Sequence, residues 1–152
     1  SPRAVLGRAV SLEEAQNEVD FSIATPGDLG EPGGVYVGPS SFGGERVSLT
    51  WAAAEGQPLF DGTQWGYLLM EFRGTDAGAA VKEVLPETRI NTVHVSGSRS
   101  YWIHGPHQLL LPSGGILHLG GSVLLWERNG VTYRLESTLA EAAAVRLAET
   151  VA

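Results

Sequence analysis

The clearest pattern of apolar and polar positions lies at the end of the chain, in residues 122–152. An apolar run is followed by Asn129-Gly130, and then apolar positions alternate with polar ones: Val131, Tyr133 and Leu135 against Thr132, Arg134 and Glu136. Asn-Gly supplies the positive φ values of a tight hairpin, and the alternation predicts a strand with one inward and one outward face. Thr138, with Glu141 three residues later, predicts a capping box. The segment therefore predicts strand, turn, strand and C-terminal helix.

The rest of the chain predicts one more helix and a series of short strands. Ser11 and Glu14 form a capping-box pattern that predicts a helix ending near Asp20. Trp65–Arg73 is apolar on both faces, which predicts a central strand, whereas Arg46–Ala54 alternates and predicts a half-buried one. Further strands are predicted at Phe21–Ala24, Val35–Val37, Ile90–Ser96, Ser100–His104, His107–Leu111 and Ile116–Leu119. Glu55–Thr63 is predicted as a loop, and residues 76–86 as a short helix or an irregular flap.

This order of elements predicts the fold class. Strands separated by tight turns, without long helices between them, indicate a strongly twisted antiparallel sheet. We expect a single α+β domain over residues 1–152: a half-barrel of about nine or ten strands, covered on its concave side by the N-terminal and C-terminal helices.

Composition excludes several classes of function. The net charge is −7 and only one of the ten basic residues is lysine, Lys82, so neither a nucleic-acid surface nor an anionic membrane surface is expected. The absence of cysteine excludes disulfides, thiol catalysis and Cys-ligated metals. No cofactor is predicted.

The histidines are the weak candidates for chemistry. His104 and His107 are candidate metal ligands because imidazole suits zinc, copper or nickel, but the intervening Gly105-Pro106 places them at the ends of different strands. The favoured interpretation is that both are turn and edge residues with ring nitrogens bonded to backbone. Ser96-Gly97-Ser98 is interpreted as a hairpin turn, because the chain has no G-x-S-x-G elbow. We therefore predict neither a metal site nor a catalytic residue.

Aromatic residues are the predicted binding residues. Most tryptophans and tyrosines at strand spacing pack in the core, but some are expected to line an open groove on the concave face. The candidates are Trp51, Trp65, Tyr67, Trp102 and Trp126. Apolar strands beside them indicate an apolar ligand or a segment of a protein partner.

Three segments resemble an uncharacterised family of bacterial extracytoplasmic domains. They are LGRAVSLEEAQNEVDFSIATPGDLG, VHVSGSRSYWIHGPHQLLL, and LLWERNGVTYRLES followed by AAAVRLAETV. Gly105-Pro106-His107 lacks one residue of the family's pattern, and Thr150 replaces a small serine. The family occurs in membrane-anchored, anti-sigma-factor-like proteins, and its fold is similar to LolA, LolB and RseB. The resemblance implies an extracytoplasmic location, with an upstream membrane anchor, and no catalytic residue. It also implies that His107 and Glu136 satisfy backbone or arginine groups at the hairpins.

Three hypotheses follow. The leading one is a non-enzymatic, extracytoplasmic sensor or binding domain that takes an apolar ligand or a protein segment in its groove. The second is a structural or interaction module with a filled core and no cavity. The third is a hydrolase that uses His104 or His107, which would require both near a carboxylate in a cleft.

Overall fold

The computed structural model of the chain describes residues 5–40, 43–53, 64–74, 89–112 and 114–151. Within these ranges the structure contains two α-helices, a short 3-10 helix and ten strands. The helices are α1 (Leu12–Glu18) and α2 (Glu141–Ala148), and the 3-10 turn is Gly27–Leu29. The strands are β1 (Arg8–Ala9), β2 (Gly34–Pro39), β3 (Glu45–Ala52), β4 (Trp65–Arg73), β5 (Arg89–Val95), β6 (Ser98–His104), β7 (His107–Leu110), β8 (Ile116–Leu119), β9 (Ser122–Arg128) and β10 (Val131–Ser137).

The strands form one large and one small antiparallel sheet. The large sheet has eight strands in the order β1-β2-β3-β4-β10-β9-β6-β5, and β7 and β8 pair with each other in a separate sheet. In the described residues the large sheet is not closed into a barrel, because its edge strands β1 and β5 do not pair. The α+β class and the antiparallel sheet are confirmed. No helix in the described ranges is long and apolar enough to cross a membrane.

Both faces of the large sheet are buried. The helix-covered face carries Val47, Leu49, Leu69, Leu124 and Leu135, which pack with Ala15 of α1 and with Ala144, Leu147 and Ala148 of α2. The irregular segment between α1 and β2 shares this covering, through Phe21 and Ala24. The hairpin-covered face carries Leu68 and Met70, which pack against Leu109, Leu111, Leu117 and Leu119 from and beside the β7–β8 hairpin. The helices therefore cover part of one face only.

Two strand predictions are corrected by this second covering layer. β3 is not half-buried, because Ser48 and Thr50 are as inaccessible as the leucine between them. On β10, Thr132, Arg134 and Glu136 do not face solvent, since all three are at most 1 % exposed. A third prediction, the strand at Phe21–Ala24, is wrong: its backbone is satisfied by side chains, with the Gln16 amide bonded to both Phe21 O and Ile23 N.

The tight turns follow local chemistry. Asn129 and Gly130 both have positive φ values, 53° and 78°, so the predicted β9–β10 hairpin is confirmed. The β5–β6 turn lies at Ser96 and Gly97, with φ values of 48° and 83°. The predicted hairpin was centred one residue later, on Gly97-Ser98. The loop predicted at Glu55–Thr63 and the helix or flap predicted at 76–86 lie outside the described residues.

The two helix starts differ. Ser11 caps α1 with a complete capping box to Glu14, as predicted. The predicted Thr138 cap is wrong, because α2 begins later, with Ala140 at its N-cap and no side-chain cap. Strand β10 continues to Ser137, whose hydroxyl instead accepts a hydrogen bond from Leu139 N.

Candidate functional site

The predicted aromatic binding residues are mainly core residues. Trp51, Trp102 and Trp126 belong to the cluster on the helix-covered face and are each at most 5 % exposed, while Tyr67 is partly buried against the same cluster. Trp126 stacks on Tyr133 with ring centroids 5.2 Å apart. The Trp51 indole N–H donates to Gly30 O at 3.1 Å. These rings fill and fasten the helix-covered face.

Trp65 lies on the opposite face from the other four. Trp51 pairs with Tyr67 and Ala52 pairs with Trp65, so the register slips by one residue and leaves Gly66 unpaired. A bulge of this kind breaks the alternation of side chains, and Trp65 therefore packs with Tyr36 on the hairpin-covered face, with ring centroids 6.0 Å apart. The five predicted residues therefore do not line one groove.

A buried cluster of charged side chains joins the β7–β8 hairpin to the large sheet. His107 Nε2 lies 2.5 Å from Glu136 Oε1 and 3.0 Å from Oε2. Arg134 Nε donates to Glu136 Oε2 at 3.3 Å. The side chains of His107, Glu136 and Arg134 are 1 %, 0 % and 0 % exposed. Glu136 contacts an arginine, as expected above, whereas its direct contact with His107 was not predicted.

The contacts of His107 define its protonation state. Its Nδ1 lies 2.8 Å from Gly105 O, and a carbonyl oxygen only accepts, so Nδ1 carries a proton. Nε2 faces a carboxylate, which places a second proton between the ring and Glu136. Burial lowers the pKa of His107, but the charge of Glu136 and the hydrogen bonds to Glu136 and Gly105 outweigh burial, and the pKa is raised above its ordinary value.

The cluster carries an excess of positive charge. The imidazolium of His107, the carboxylate of Glu136 and the guanidinium of Arg134 give the cluster a net charge of +1. Neither Nη1 nor Nη2 of Arg134 has a hydrogen-bond partner in the part of the chain that the structure describes. A buried charge without full compensation is costly, so the cluster is sensitive to any change in its charge balance.

A second buried carboxyl group, Glu71, lies on the helix-covered face. Its Oε1 accepts from Ala24 N at 2.9 Å, whereas Oε2 has no hydrogen-bond partner within the described ranges. Burial raises the pKa of Glu71 to about 8, against the lowering effects of the Ala24 N–H and of Arg128. In its neutral form, the Glu71 carboxyl group holds the irregular segment before β2 on the sheet. One signal of Glu71 is visible in the sequence, a lone acidic position inside a strand that is apolar on both faces.

An open pocket of about 620 Å³ lies at one end of the large sheet. The end of β6, the β8–β9 connection and the segment before α2 form its walls. Its lining residues are Trp102, His104, Gly105, Pro106, Gly120, Gly121, Ser122, Thr138, Leu139, Ala140 and Glu141. His104, Pro106, Thr138 and Ala140 are exposed, so the pocket opens to solvent. It combines apolar surface with exposed glycine backbone and several polar side chains.

Two of the predicted site residues, Trp102 and His104, meet in this pocket. His107 does not join them, because its ring is buried against Glu136. The described residues contain no group of three or more His, Asp or Glu side chains that is placed to hold a metal ion. The carboxylate anticipated by the hydrolase hypothesis is present as Glu136, but it pairs with His107 in the interior and not in a cleft.

Gly105 connects the pocket to the charged cluster. Its N–H donates to Ser122 Oγ, in the pocket wall, at 2.9 Å, and its carbonyl accepts from His107 Nδ1. Gly105 has a φ of +85°, a conformation that favours glycine. The sequence indicated a turn here, but not that the backbone of one residue would bond to both sites.

Comparisons with models of protein families, with curated proteins and with solved structures found no match.

Proposed function

We propose that this chain is a non-enzymatic binding domain that takes a short segment of a partner protein in the pocket at the end of the sheet. The observation that carries the proposal is the pocket itself, where Pro106 and Leu139 supply apolar surface beside the exposed Gly120. Exposed glycine backbone offers N–H and C=O groups to an extended peptide. The family resemblance supports an extracytoplasmic, membrane-tethered setting for such a domain.

The state of His107 supports a non-enzymatic role. Both ring nitrogens already face acceptors, Gly105 O and the Glu136 carboxylate. A general base needs a free nitrogen within reach of the proton that it removes. The Ser122 hydroxyl accepts a hydrogen bond from the Gly105 N–H. His107 is therefore placed to hold structure.

A second candidate is a structural or interaction module with a filled core. The observation in its favour is the burial of the predicted groove: Trp51, Trp65, Trp102 and Trp126 are each at most 5 % exposed. On this alternative the surface pocket takes no ligand.

The experiment is a chemical-shift mapping of the ¹⁵N-labelled chain against a panel of short apolar and aromatic peptides at millimolar concentration. Binding at the pocket shifts the amides of Gly105, Gly121 and Ser122. Ala140→Trp fills the pocket mouth from an exposed N-cap position and should abolish these shifts. Ala142→Trp, on the same helix but outside the pocket lining, is the matched control and should preserve them.

Two results would overturn the proposal. One is the absence of any shift at the pocket across the panel, which favours the filled-core module. The other is a set of shifts that Ala140→Trp leaves unchanged, which places binding elsewhere on the surface.

A further inference from the structure

The β7–β8 hairpin is attached to the large sheet as a separate unit. It forms its own two-stranded sheet, and it is bounded by Gly105-Pro106 on one side and Gly120-Gly121 on the other. These four residues also line the pocket. Any shift of the hairpin base therefore changes the shape of the pocket wall.

A polar contact also fastens the hairpin base to the sheet interior. Leu109 and Leu117 pack on Leu68 and Met70 by apolar contact, which has no directional preference. His107, the first residue of β7, instead makes the directional ion pair with Glu136 of β10. The position of the hairpin base thus depends on the protonation of one imidazole.

We propose that His107 regulates the pocket through Gly105, keeping the pocket in the described shape when the imidazole is protonated and altering it when the proton is lost. The inference rests on the proposed function for its biological role, since the regulated pocket is the proposed binding site. The conformational coupling itself requires no ligand.

The coupling follows from the two acceptors that face the ring. A neutral imidazole keeps one proton, and a carboxylate is a stronger acceptor than a peptide carbonyl, so the proton remains on Nε2 against Glu136. Nδ1 then turns a lone pair toward Gly105 O, in place of a hydrogen bond of 2.8 Å. The Gly105 carbonyl has to move, and the N–H of the same residue, on the adjoining peptide group, is bonded to Ser122 in the pocket wall.

The direction with pH is set by the charges around the ring. Within the described residues, the charged groups that act on His107 are Glu136, which raises its pKa, and Arg134, which lowers it. Because the net effect is a raised pKa, the described shape persists to a higher pH than an unperturbed histidine would allow. It is lost as the pH rises through the raised pKa of His107.

The test is an NMR titration of the whole chain in a His104→Gln background, which removes the histidine next to Gly105. The ring nitrogens of His107 report its protonation directly. We expect the amides of Gly105 and Ser122 to shift with the same midpoint as that ring, above pH 6.5. Arg134→Met, which removes the lowering charge, should move both midpoints upward together, by about one pH unit.

Other outcomes would overturn the inference. Gly105 and Ser122 amides that do not follow the His107 ring contradict the coupling, as does a titration that persists in His107→Gln. If His107→Gln fails to fold, the joint shift of midpoints in Arg134→Met remains decisive. Peptide binding is a separate measurement: failure to bind with a coupled titration contradicts the proposed function alone, and binding without the titration contradicts the regulation alone.

Discussion

Replacement of the buried Glu71 by glutamine tests the electrostatics of the helix-covered face. Glu71 is fully inaccessible, and its Oε1 accepts the Ala24 N–H. The amide oxygen of Glu71→Gln can accept the same hydrogen bond, while the side chain stays neutral at every pH. The variant therefore removes one titration and retains the contact that holds the irregular segment on the sheet.

The magnitude follows from the difference in pKa between folded and unfolded chains. The pKa of Glu71 is about 8 in the fold, against 4.5 ordinarily. The folded chain binds more protons in this window, so Glu71 contributes stability that is fully present below pH 4.5 and is lost as the pH rises through 8. The slope is roughly 1.4 kcal/mol per pH unit midway between the two pKa values and smaller near each of them, which gives a loss of about 3–4 kcal/mol between pH 5 and pH 8.

The assay is urea unfolding followed by tryptophan fluorescence, at intervals from pH 5 to pH 8, on wild type and on Glu71→Gln. Titrations common to both chains cancel in the difference. We expect the variant to gain about 3–4 kcal/mol relative to wild type over this range. Glu45→Gln, at an exposed position on β3, is the matched control and should show no such gain. A difference that stays flat with pH, or that changes in the opposite direction, would refute the reasoning.

Two further predictions concern the bulge and the charged cluster. Gly66→Ala should destabilise the fold by about 1–3 kcal/mol, because the new Cβ would lie 2.4 Å from Ala53 Cα; Gly33→Ala, whose nearest atom is 3.8 Å away, is the control, and equal unfolding midpoints in urea would contradict the prediction. Arg134→Met leaves a neutral ion pair and should change stability by less than about 1 kcal/mol, whereas Glu136→Gln leaves the buried Arg134 guanidinium without a counterion and should cost about 3–5 kcal/mol. The same urea assay at pH 6 compares the two losses of stability. A larger loss for Arg134→Met than for Glu136→Gln would refute the charge balance assigned to the cluster.

Local sequence chemistry predicted the elements that depend on it. The Asn129-Gly130 hairpin and the Ser11 capping box require only neighbours along the chain, and both are present. Trp65–Arg73 was predicted as a central strand, and β4 lies inside the sheet between β3 and β10. The Thr138 cap failed because strand pairing extends to Ser137, and pairing with β4 and β9 is not visible in the local pattern.

The site was harder to predict because it depends on which surface folds onto which. The alternation in β10 indicated an outward polar row, which would be solvated on a sheet with one open face. The β7–β8 hairpin covers that row, so Arg134 and Glu136 became interior residues. Trp65 was assigned to the wrong face because a single unpaired residue, Gly66, reverses the alternation.

The charge balance of the buried cluster explains why its three members belong together. Burial alone would neutralise His107, and Arg134 pushes its pKa in the same direction. The carboxylate of Glu136 outweighs both, because it is the one negative group among them and it contacts the other two directly. Removal of Glu136 therefore removes the ion pair and also leaves His107 neutral. The hydrogen bond from Nδ1 to Gly105 O then forms in only one of the two tautomers of the ring. The shape of the pocket is thus set, through the backbone of Gly105, by a carboxylate that the pocket does not touch.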